Sequence, residues 1–217
     1  MIIFDFEDGN GPVPAHQHEN GGGWVANTAC VEKDVFVSSN AKVYGDAQVF
    51  GKAQVFCKAK ISDNASVYGN ASVFDNAQVF GKAKISDNAQ VFGNAHVYGD
   101  VRVCSNACVF GYARVYGDAY VYDNAHVGGN ARVYDNAQVY GDARVYGDVR
   151  VYGDVRVYGN VQVLDSAYQE KQHNVIVYEK LESETREKKE SLIYQEYGIK
   201  IHLEDEKIKL KGIFGCH

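Results

Sequence analysis

The residues of this chain best suited to chemistry are its seven histidines and five cysteines. His16 and His18 form a His-x-His pair. On a strand, imidazoles at that spacing share a side and can hold a metal ion, provided Glu19, Asp8 or a neighbouring subunit completes the set. Two ligands alone do not make a site. His96 and His126 are candidate general bases, yet no acid is placed beside either to orient it. Cys108 lies 18 residues before His126 and Arg144 lies 18 after it. Phe110, Gly128 and Tyr146 fall in the same stretch, and Arg114 with Tyr116 sets a guanidinium beside a ring. Those eight residues (Cys108, Phe110, Arg114, Tyr116, His126, Gly128, Arg144 and Tyr146) would suit a small anionic ligand of nucleotide type. The cysteines, at 30, 57, 104, 108 and 216, are odd in number and contain no Cys-x-x-Cys. They read as free thiols of a reducing compartment.

The elements that must position these residues follow from a period of six. From Ala41 the chain reads AKVYGD, AQVFGK, AQVFCK, AKISDN and continues in phase to VQVLDS at Ser166, which makes twenty-one hexads without insertion or deletion. Weaker copies precede them: GWVANT (23–28), ACVEKD (29–34) and VFVSSN (35–40). Positions one and three are Ala or Val, then Val or Ile. Positions two and four are mostly Lys, Gln, Arg or Ser, then Tyr or Phe. That alternation marks a strand with one buried face. Positions five and six are Gly, Asp or Asn, which accept positive φ and make corners. Strands this short cannot reverse direction every four residues, so each must stack on an equivalent strand one coil later. The result is a β-helix, a solenoid in which each coil touches only its neighbours.

The pattern of an aliphatic residue, three residues and a small residue (Val43 to Ala47, Val49 to Ala53, Val55 to Ala59) resembles the hexapeptide-repeat, left-handed β-helix superfamily. The tandem AxVYGN and AxVFGD repeats are similar to the subgroup described as hexapeptide transferases. The segment from GPVPAH to HENGGGW resembles a leader on bacterial and phage members. The resemblance covers about two-thirds of the chain. It implies three hexads per triangular turn, residues 18 apart in vertical register, left-handed coiling and a homotrimer packed along the prism axis. Eight turns at about 4.8 Å per layer give a prism roughly 38 Å long. This chain differs from enzymes of the superfamily in carrying Tyr or Phe after the aliphatic position.

The expected organisation is all-β: an N-terminal strand and capping loop over 1–22, with Trp24 plugging the open end, a β-helix over 23–166, and an α+β extension over 167–217. In that extension HNVIVY (173–178) is strand-like. EKLESETREKKE (179–190) has the i,i+4 charge order of an exposed helix, and LIYQEYGIKIHLEDEKIKLKGIF alternates again. It would serve as a cap, an oligomerisation element or a docking element. Three outward aromatic columns are expected, with a notch where Gly128 replaces a ring. A basic ladder of Lys42, Lys60, His96, Arg114, Arg132 and Arg150 is expected to be neutralised by corner acids such as Asp100, Asp118 and Asp154.

Net charge is −6, from 22 basic and 28 acidic residues, so avid nucleic-acid binding is not expected. The acidic opening MIIFDFED lacks the Lys or Arg of a secretory signal, and the chain reads as cytoplasmic without a membrane segment. The first functional reading is a non-enzymatic trimeric β-helix, a structural, binding or partner-blocking module, without a cofactor. One alternative is an acyl-CoA-dependent acyltransferase using His96 or His126, although such enzymes carry a loop extruded from the coils and this repeat has none. Another is a protein that sequesters a nucleotide-type molecule at subunit grooves. A hydratase similar to γ-class carbonic anhydrase would need a third zinc histidine, which the repeat lacks. Ice binding in this fold uses Thr ladders, and these repeats have no such ladder.

Overall fold

The computed structural model describes residues 2–164, 200–204 and 207–211. These residues form strands and turns, with no helix among them. The fold is a β-solenoid of about eight coils. Each coil contributes one short parallel strand to each of three sheets, so the shaft has three outer faces. Face one runs from Trp24–Ala26 through Lys42–Val43 to Arg150–Val151. Face two runs from Cys30–Val31 to Arg156–Val157, and face three from Phe36–Val37 to Gln162–Leu164. Register partners are 18 residues apart, as in Lys42 with Lys60 and Val43 with Ile61.

The hexad accounts for this geometry position by position. Positions one and three are buried from Val35 to Val151, with Ala29, Val31 and Val155 partly buried near the ends, and the core there is Ala, Val and Ile only. Three two-residue strands per coil leave an interior too narrow for rings, so the aromatics stay outside. Position five turns the corner. Gly69 has φ +72° and Asp87, the next residue in its column, has φ +60°. A Cβ on Gly69 would lie 2.9 Å from the Asp87 amide nitrogen. Both the positive φ and this close approach explain the preference for Gly at such corners. Aspartates there are also used: Gly81 N–H donates to Asp63 (3.0 Å) and Gly93 N–H to Asp75 (3.1 Å). Position six builds an amide ladder in which Asn70, Asn88 and Asn106 each donate to the next, ending from Asn124 to Asp142.

Strand β1 (Ile3–Phe4) pairs antiparallel with β2 (Val13–Gln17), which pairs antiparallel with β3 (Trp24–Ala26) on face one. The loop after β2 closes the first coil. Gly23 N–H donates to Val37 O, and Val37 N–H donates to Asn20 O. Trp24 does not plug the shaft. It lies on the outside of face one, stacked on Phe4 at 4.2 Å, while Phe6 stacks on Tyr44 at 5.0 Å. The reason is its hexad position, since position two always faces outward. Near that end of the shaft His18 is buried and bonds to the Val35 carbonyl.

Strands Lys200–Glu204 and Lys207–Lys211 pair antiparallel, and the second pairs in parallel with Gln162–Leu164, extending face three. The strand expected at 173–178 and the helix expected at 179–190 lie outside the described residues. Among the described residues, no helix is long and apolar enough to cross a membrane.

Candidate functional site

The irregular hexads between 101 and 130 set two clusters on adjacent faces. On face three, Cys108, His126 and Arg144 occupy position two of successive coils and are direct register partners. Phe110, Gly128 and Tyr146 occupy position four of the same coils. His126 Nδ1 and the Tyr146 hydroxyl share a 3.2 Å hydrogen bond, and the imidazole stands edge-on to Phe110 at 6.4 Å. Burial and then the Arg144 cation hold His126 below the usual imidazole range. Burial pushes the Cys108 thiol up and raises the Tyr146 phenol, against the lowering effect of Arg144. At neutral pH the cluster is therefore a neutral imidazole, a thiol and a phenol beside one guanidinium.

The missing ring at Gly128 does not leave an open notch. Phe110 and Tyr146, two coils apart, lean toward each other until their centroids are 5.7 Å apart at a 58° tilt. Gly128 is buried beneath them, and a Cβ there would lie 2.5 Å from the Phe110 ring. Sequence spacing locates the gap but not its filling, because that depends on the freedom of neighbouring rings to tilt. Face two behaves alike. Where Cys104 replaces a ring, the Cys104 thiol and the Tyr120 hydroxyl share a 3.4 Å hydrogen bond, and Tyr120 tilts against Tyr122 at 4.4 Å. That hydrogen bond, with burial, pushes the Tyr120 phenol up to about 12. Tyr120 departs from the Lys, Gln, Arg or Ser usual at position two, which is visible in the hexad pattern. Its pairing with Cys104 is not, since the two lie on adjacent coils with a diagonal offset.

Arg114 and Tyr116 do not join the face-three cluster within one protomer. They lie on face one, with His96, because 114 and 144 are not separated by a multiple of 18. Tyr98, Tyr116, Tyr134 and Tyr152 form a near-parallel stack on that face, with successive centroids 5.1, 4.8 and 5.1 Å apart. Beside the stack run His96, Arg114, Arg132 and Arg150 in register. Burial, then Arg114, lowers the His96 pKa. The expected neutralisation of this column by corner acids is absent. Among the described residues the only ion pair is Lys42 with Glu7, at 2.8 Å. The arginines stand at position two and the acids at position six, across the tyrosine column, so the two rows do not meet.

The His-x-His pair is divided. His16 is exposed, with Nδ1–H donating to Asn27 Oδ1 (2.9 Å). His18 is buried, and Nε2–H donates to Val35 O (2.9 Å). The strand ends at Gln17, so the alternation that would align the imidazoles stops between them. Among the described residues no group of three or more His, Cys, Asp or Glu could hold a metal ion. The described cysteines are free thiols.

Residues 89–105, 113–129, 137–152 and 149–165 match a family model described as YdcK Beta solenoid repeat. This is a β-solenoid repeat protein. No curated protein and no solved structure matches the chain. The matched stretches lie from residue 89 onward, the part of the solenoid that holds its arginines and most of its outward tyrosines.

Proposed function

We propose that this β-solenoid is a non-enzymatic binding module that works as a homotrimer, with face three as the seam between subunits. The observation that carries this reading is the chemistry of face three. From Phe36 to Cys108 its position-two column runs Phe36, Gln54, Ser72, Gln90 and Cys108 without a charge, and Arg144 brings the first one two coils later. From Phe56 to Phe110 its position-four column is Phe on every coil, with no hydroxyl before Tyr146. Phe74, Phe92 and Phe110 stack at 4.7 and 5.1 Å and are half-buried in the protomer. A long uncharged aromatic lane on a water-facing surface favours burial against another copy. Equal rise per coil lets copies align rung by rung, and a head-to-tail contact closes into a ring. Faces one and two carry most of the strand Arg and Lys side chains, Arg144 excepted, and stay outside.

Native mass spectrometry tests this reading. A trimer without added mass is expected, and Phe74→Glu with Phe92→Glu should convert it to monomers of unchanged far-UV circular dichroism. A wild-type monomer would overturn the seam. Turnover of acetyl-CoA with an amine or hydroxyl acceptor, abolished by His126→Ala, would replace this reading with the acyltransferase. That second reading draws support from the neutral His126 imidazole bonded to Tyr146 beside Arg144.

A further inference from the structure

On the outside of face one, three parallel rows run along the second half of the shaft. The first is cationic: Arg114, Arg132 and Arg150, on successive coils and free of ion pairs among the described residues. The second is the tyrosine stack of 98, 116, 134 and 152. The third is the exposed acidic corner of Asp100, Asp118, Asp135 and Asp154. The order follows from hexad positions two, four, and five to six, so a basic row, an aromatic row and an acidic row lie side by side.

We propose that this surface binds an amphipathic α-helix laid along the shaft, with a glutamate or aspartate stripe over the arginines, an apolar stripe over the tyrosines and a basic stripe over the corner acids. The dimensions agree. Three arginines on successive coils span about 9.6 Å at about 4.8 Å per layer. Acids at i, i+3 or i+4, and i+7 of a helix span about 10.5 Å at 1.5 Å per residue. Across the face, two residues of strand separate each row from the next, roughly 13 Å in all, close to the 10–12 Å diameter of a helix. An extended acidic strand places same-side groups about 6.8 Å apart and falls out of step with the rungs. Single-stranded nucleic acid needs open ring faces on which to stack its bases. Here each tyrosine face is covered by the next ring, and the acidic corner repels a continuous phosphate chain. Arg and Tyr are the residue types that most often dominate such contacts, and Arg offers a planar fork to each carboxylate.

This surface rests on the binding-module reading and requires face one to lie outside the trimer. The test uses the full chain and a fluorescent three-heptad peptide with Glu, Leu and Lys stripes in that order around the helix. A scrambled peptide of the same composition and a thymidine oligonucleotide serve as comparisons. Fluorescence anisotropy should show binding of the striped peptide, weakened by salt. The triple change Arg114→Gln, Arg132→Gln, Arg150→Gln should reduce affinity at least about tenfold, while Arg102→Gln with Arg156→Gln on face two should leave it unchanged. Circular dichroism checks that both variants fold. Equal binding of the scrambled peptide, tighter binding of the oligonucleotide, no binding of the striped peptide, or equal losses in the two variants would each overturn the proposal. A bare trimer that ignores the peptide would sink this surface alone, whereas acyl transfer would sink the module reading itself.

Discussion

Faces one and three are built on the same backbone and enclose the same core, yet they present opposite chemistry. Both have Ala or Val at position one and Val or Ile at position three along the shaft, and both use the same rung-to-rung hydrogen bonds. They differ at positions two and four. Face three puts Gln, Ser and Phe there through Phe110, and face one puts Arg and Tyr there from Arg114 onward. Nothing in the fold chooses between these sets, because outward side chains pack against outward neighbours and stay clear of the core. A solenoid separates its problems: inward positions hold the coil together, and outward positions are free to carry recognition.

Substitutions that ignore the distinction between faces should have the largest effect. Val97→Asp on face one and Val91→Asp on face three each bury an unpaired carboxylate among Ala and Val. Both should prevent folding to a similar degree, read as loss of soluble, sheet-rich protein by circular dichroism. A soluble, folded Val97→Asp protein would show that position three does not face inward.

A smaller effect should separate the faces. Phe92→Glu should weaken or abolish the trimer while leaving the fold intact, and Tyr134→Glu should not, as read by light scattering after gel filtration. Loss of trimer in the face-one variant and not in the face-three variant would reverse the assignment of the seam.

Gly128→Ala probes the ring that leans across the gap. The added Cβ meets Phe110 at 2.5 Å, so stability should fall by about 1–3 kcal/mol, the usual range for overpacking. Phe110→Ala in the same chain should recover most of that loss in a double-mutant cycle by urea unfolding. Additive losses would mean that Phe110 does not lie over Gly128.

The smallest effect concerns pH. Because the folded state holds His126 below its ordinary value of 6.5, the unfolded chain takes up the proton first as pH falls. His126 therefore costs stability below about pH 6.5, and the loss continues until pH drops past the folded value. Relative to wild type, His126→Gln should be less sensitive to acid between about pH 7 and 5 in thermal melts. An identical pH dependence would remove the assigned role of burial and Arg144.

The irregular hexads show where sequence reading stopped. Spacing of 18 placed Cys108 under His126 and His126 under Arg144, and separated His96 from His126 onto different faces. Within one protomer the same spacing sets Arg114 and Tyr116 on face one, apart from that column. Gly128 reads from the sequence as a gap, whereas Phe110 fills it by tilting, a packing response that no residue type announces, and Tyr120 does the same beside Cys104. Sequence reading also set the arginine column against corner acids that lie on the far side of the tyrosines.

The sequence by itself determined the period, the inward and outward sides of every hexad, the corners and the three faces. Each follows from local rules: alternation along a strand, positive φ at Gly and Asp, and a repeat that never slips. The tertiary structure alone decided the rest. Whether a ring stands upright or leans, whether an arginine finds a carboxylate, and whether two histidines face together depend on distances between coils and on where a strand stops. Those contacts join residues far apart in the chain, and their energies are set by packing around them rather than by residue type.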